Sequence, residues 1–140
     1  MAAIVAVIVG VLLLGVVGVL VAIAVPTYNQ YLQRSKAAVT VAAMAPLKPE
    51  VADFHARQGR CPINGDTGFG RAESYAGAGL RSVRVGRFDN GHCGLEGILA
   101  APGHDGIDGK ALWLDYDPEA EVWTCSSEID DKLLPRDCRG

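Results

Sequence analysis

The chain has 140 residues, of which 49% are hydrophobic and only 6% aromatic, with 13 Lys+Arg against 16 Asp+Glu and a formal net charge of −3. An acidic balance argues against general binding to nucleic acid through its phosphates, and the length excludes a two-domain enzyme. Every Lys, Arg, Asp and Glu lies beyond residue 33, so roughly 105 residues remain for one small soluble domain, its core leaning on aliphatics, alanine and cross-links.

Ala2 to Val25 contains only Ala, Ile, Val, Leu and Gly. As a helix this run spans about 36 Å, enough to cross a hydrocarbon layer of about 30 Å. It is longer than a secretory apolar region, and no basic residue precedes it. The rest of the chain is too small to surround it, so a membrane-inserted helix is expected. Ala6 with Gly10 and Gly18 with Ala22 are small residues four apart, and Gly15 lies between them, the spacing at which two helix backbones approach closely. Arg34 and Lys36 follow the span, which by charge alone keeps the carboxyl-terminal part in the cytoplasm. Cys61, Cys93, Cys125 and Cys138 point the other way: four cysteines with no C-x-x-C pair suit disulfides in an oxidising compartment better than zinc. The cysteines take precedence.

Pro26 removes one helical bond and is expected to loosen the helix without ending it. Tyr28, Tyr31, Leu32, Ser35, Val39, Ala42 and Ala43 then recur at three- and four-residue steps, one apolar stripe on a helix that continues beyond the membrane. Pro46 and Pro49 mark an irregularity, and Val51, Phe54 and His55 predict further turns closed by Gly59. Residues 62–80, rich in Gly and Ala and including Asn64-Gly65, read as an irregular loop laid over the helix. Alternation predicts strands over 81–88 and 93–99 around an Asn90-Gly91 turn. After a loop over 102–110, strands over 111–116 and 121–125 flank Asp117-Pro118. The expected fold class is α+β, a long helix on a roughly four-stranded antiparallel sheet. The segments are 1–26 as membrane or filament-core helix, 27–59 as its amphipathic continuation and 60–140 as the β head.

The stretch VVGVLVAIAVPTYNQYLQRSKAAV, residues 16–39, resembles the amino-terminal helix of type IV pilins, with Gly18, Pro26, Tyr28 and Tyr31 at the matching positions. Gly59-Arg60-Cys61-Pro62 resembles the point where such proteins leave their helix, and 122–125 with 134–138 is similar to the carboxyl-terminal cystine loop of the type IVa class. The resemblance implies a Cys125–Cys138 bond, which leaves Cys61 and Cys93 for each other. It also implies helix packing through Ala6, Gly10, Gly15, Gly18, Ala22, Pro26, Tyr28 and Tyr31. Aligned on Gly18 and Pro26, Val5 stands where the family has its methylated Phe and Val9 where it has a Glu. The expectation is therefore either a subgroup held by an uncleaved helix or an amino terminus other than the native one.

From this resemblance follow an inner-membrane anchor with a periplasmic head and self-assembly with copies or other pilins into an extracellular helical filament. Partners would be an inner-membrane assembly machinery and a host or abiotic surface, with adhesion, twitching motility or DNA uptake as uses. The alternatives are a non-polymerising, single-pass periplasmic binding or accessory protein and a type II secretion pseudopilin. Residues 34–87 carry nine basic and four acidic groups, residues 88–140 four basic and twelve acidic, a division that head-to-tail stacking could exploit. His55, His92 and His104 are scattered, with no catalytic spacing, so no enzyme is expected. The Gly103–Gly109 loop, with Asp105 and Asp108, has too few ligands for a calcium site. Neither metal nor cofactor is expected. DNA contact through Arg81, Arg84 and Arg87 is disfavoured because Arg84 should face away from the other two.

Overall fold

The computed structural model describes residues 1–140, in two compact units, Met1–Leu32 and Gln33–Gly140. Helix α1, Ala2–Met44, runs through Pro26. The missing N–H of that proline frees the carbonyl of Ala22, and the Thr27 hydroxyl donates to Ile23 O at 3.3 Å. A turn at Ala45-Pro46 separates α1 from α2, Leu47–Gln58. Gly59 ends α2 in the left-handed region (φ 69°), its N–H donating to His55 O at 2.9 Å. A residue with a Cβ would be strained there, which is why glycine closes the helix.

Four strands follow in a simple antiparallel meander, β1 (Leu80–Arg87), β2 (Cys93–Leu99), β3 (Ala111–Asp117) and β4 (Val122–Ser127). The β1–β2 loop is a three-residue one: Gly91 N donates back to Phe88 O at 2.9 Å and Gly91 takes φ 87°. Only the glycine of the Asn90-Gly91 pair is left-handed, so the turn is the bulged three-residue type. At the β3–β4 corner the Asp117 carboxylate accepts the N–H groups of Glu119 and Ala120.

Val83, Val85, Leu95, Leu99, Leu112, Leu114 and Tyr116 fill the inner face of the sheet. The helical face in this core is Ala37, Thr40, Met44, Leu47, Val51 and Phe54. This corrects the predicted stripe: Ser35, Val39 and Ala42 are exposed. An Ala- and Val-rich segment has apolar residues on more than one face, and close approach decided between them. Gly97 on β2 leaves room for Met44, so small or flexible side chains occupy the buried face. Thr40 is tolerated there because its hydroxyl donates to Lys36 O at 3.1 Å and also lies 3.4 Å from Gly79 O.

The segment before β1 is the expected irregular loop, Phe69 lying on Phe54 of α2, with two additions: a short 3₁₀ turn, Ala72–Tyr75, and a hook onto the edge of β1. Asn64 Oδ1 accepts the Val85 N–H at 2.9 Å and Asn64 Nδ2 donates to Val83 O at 3.1 Å. A side-chain amide thus occupies an edge otherwise open to strand addition. Phe69 anchors the segment edge-on against Phe54, ring centroids 5.8 Å apart.

Candidate functional site

The apolar run in α1 is exposed along its length; Leu14, near its middle, is 75% exposed. A Cβ added at Gly10, Gly15 or Gly18 would meet nothing of this chain within 4 Å. The small size of these residues therefore serves no packing within the chain. Ala6, Ala22, Pro26, Tyr28 and Tyr31 are likewise exposed. No charged side chain interrupts Ala2–Val25, and the helix is long and apolar enough to cross a membrane.

The second unit is closed by two cystines. Cys61 is bonded to Cys93, with Cα atoms 5.2 Å apart, which ties the exit from α2 to the start of β2. Cys125 is bonded to Cys138, with Cα atoms 4.5 Å apart, which ties the tail to β4. The tail has further anchors that the sequence did not signal. Leu133 and Leu134 are buried, and Arg34 on α1 donates from Nε and Nη2 to Lys132 O at 3.0 and 2.8 Å.

Around Cys61 a second clamp forms. Arg60 Nη1 and Nη2 donate to the two oxygens of Asp66 at 2.8 and 3.1 Å, and the Ile63 N–H donates to Asp66 Oδ2 at 2.9 Å. The Arg60 guanidinium, chiefly, and then the Ile63 amide hold the Asp66 carboxyl below its usual value of 3.8. A carboxylate with a lowered folded-state pKa stabilises the fold above its unfolded value. That stabilisation fades as pH falls through the lowered value. Thermal melts below about pH 4 should therefore show an acid-dependent loss in the wild type that is smaller in Asp66→Asn.

The remaining candidates are dispersed. Asp108 Oδ1 accepts the Ala101 N–H at 2.8 Å and lies 3.5 Å from Arg81, so that carboxylate is engaged within its own loop while Asp105 is exposed. His92 Nδ1 lies 2.6 Å from Asp115 Oδ1; His55 and His104 lie elsewhere. No three His, Cys, Asp or Glu side chains converge as metal ligands. Arg84, 3.3 Å from Glu96, stands in the outward row of the sheet, whereas Arg87 is in register with Cys93 and Tyr116 of the inner row, so the two alternate as predicted, although Arg87, at the end of β1, also borders the outward groove.

Residues 33–139 match the family model described as Pilin (bacterial filament). The chain is 28% identical over 135 residues to the fimbrial protein EcpC of Eikenella corrodens, covering 91% of this chain and 84% of that protein. Among solved structures it is similar to a Cs1 pilin chimera, with a TM-score of 0.56 at 21% identity, covering 79% of this chain and 98% of the other; this likeness concerns the fold.

Proposed function

Because the chain belongs to the pilin family, we propose that it is a structural subunit of a type IV pilus, held in the inner membrane by residues 1–26 with its head in the periplasm until assembly. Residues 27–59 continue the helix, and residues 60–140 form the cystine-braced head. The observation that carries the reading is the exposed, uncharged apolar run of α1, which takes no part in the core that residues 33–140 complete among themselves. Such a surface requires lipid or other helices around it. In lipid, association relies on packing, and the unfilled sites at Gly10, Gly15 and Gly18 suit close approach of neighbouring helices. An inner-membrane machinery would extract and stack the subunits. Adhesion is the use we favour, ahead of twitching motility and DNA uptake, and two cystines suit a head destined for the cell exterior.

The test is electron microscopy of sheared surface filaments, with mass spectrometry of their subunits, for the wild type and Leu14→Lys. A lysine at the centre of a span costs about 2.5–3.5 kcal/mol on insertion scales. The wild-type polypeptide should be recovered in filaments and the variant should be absent from them. Recovery of wild type only in the inner membrane overturns the filament reading and favours a non-polymerising accessory protein; recovery in short secretion-system fibres favours a pseudopilin.

A further inference from the structure

The outward face of the sheet carries a groove of about 590 Å³ that the packing of the core does not use. Strand register places Arg84, Glu96, Trp113 and Ser126 side by side across all four strands. The next row on that face is Gly86, Gly94, Asp115 and Thr124. Its two glycines have different reasons to be there. Gly94 lies under the Phe88 ring, which a Cβ would strike. Gly86 has neither a left-handed backbone nor any atom within 4 Å of where a Cβ would stand. Glycine inside a strand weakens it and often marks a bulge, a bend or a place where a ligand approaches; the β1–β2 register is regular at Gly86, so no bulge accounts for it. Gly86 forms the floor of this groove.

The walls are held in advance. Trp113 Nε1 donates to Glu96 Oε2 at 2.8 Å, and Arg84 lies 3.3 Å from the other oxygen of Glu96, which fixes indole and carboxylate together. Across the groove Asn90 Nδ2 donates to Asp115 Oδ2 at 2.7 Å. The Arg84 guanidinium, paired with Glu96, thus stands among carboxylate acceptors, with Arg87 and the aromatic residues Phe88 and Trp113 also bordering the groove. Three carboxylates, Asp89, Glu96 and Asp115, against two guanidinium groups leave no cationic excess for a phosphate, sulfate or carboxylate ligand. A strand-like peptide would need an open sheet edge, whereas this groove lies on a face and Asn64 already caps the edge of β1. An uncharged ligand fits, with hydroxyls that both donate and accept and a C–H face for the rings.

We propose that this groove binds a neutral saccharide, its ring against Phe88 or Trp113 and its hydroxyls bridging arginine and carboxylate. Its biological use rests on the adhesive reading above, but the binding itself does not require a filament. The test uses the full chain in dodecylphosphocholine micelles, a detergent without a sugar head group. Chitotriose, maltotriose and lactose are titrated, with sialyllactose and a heparin disaccharide as charged controls, while NMR follows the Trp113 Nε1–H and the Gly86 amide. At least one neutral sugar should shift both resonances saturably. Gly86→Val, a strand-favouring residue that fills the floor, should weaken that binding at least about tenfold while leaving the melting temperature unchanged or raised. Should the valine variant fail to fold, Arg87→Gln, at an exposed position, should weaken binding on an intact fold. No response to any neutral sugar up to about 10 mM, a stronger response to a charged control, or undiminished binding by the folded variants each overturns the proposal. Filament counts in the same strains read the assembly proposal separately.

Discussion

Truncating Met44 to alanine should cost the head about 3 kcal/mol, and adding Gly97→Ala to that variant should return part of the loss. Met44 is fully buried, and its Sδ and Cε are the nearest atoms to a Cβ built on Gly97. Its thioether therefore occupies the space that glycine leaves on the inner face of β2. In the wild type, Gly97→Ala must displace a side chain that has no solvent to retreat into, at a cost of about 1–3 kcal/mol. In Met44→Ala the same methyl group enters a cavity instead. Urea unfolding of the full chain in micelles, followed by the fluorescence of Trp113 and Trp123, measures all four corners of the cycle. Strict additivity of the two losses would show that Met44 and Gly97 do not share this space.

That contact also explains what the sequence withheld. The strands were legible because alternation along 93–99 and 111–116 matches a sheet buried on one face; the first has the expected bounds and the second runs one residue further, to Asp117. Gly59 was legible as a helix end because a left-handed residue there leaves few choices. The phase of α1 was not, since Val39 and Ala42 looked as apolar as Ala37 and Met44. Close approaches to residues distant in sequence, Met44 to Gly97 and Thr40 to Gly79, mark the face that goes inward. The apolar run was plain from composition, whereas the groove around Gly86 was hidden: its row forms across four strands, and each member taken alone reads as an ordinary surface residue. Asn64 illustrates the same limit, for Asn64-Gly65 signals a turn but says nothing of the strand edge that its amide caps.

Replacing Cys61 and Cys93 by alanine should destabilise the head more than replacing Cys125 and Cys138, by about 4 against about 3 kcal/mol on the chain-entropy model. The order follows from the loops closed, since the paired residues are 32 apart in one case and 13 in the other. Cys93 and Cys138 are both buried, so either loss leaves a small void and the voids do not set the order. The tail keeps other anchors when Cys138 is replaced: buried Leu133 and Leu134, the Arg34 bonds to Lys132 O, and Arg139 Nε donating to Leu134 O at 3.0 Å. A domain of this size has a total stability of about 5–15 kcal/mol, so either loss is a large share and both together exceed the lower limit. Urea midpoints of the two double variants under oxidising conditions, with the wild type fully reduced as a third sample, measure the ranking. If the tail cystine proved the more costly to remove, loop length would not govern the stability of this head, and the packing of Cys138 with Leu133 and Leu134 in the core would outweigh it.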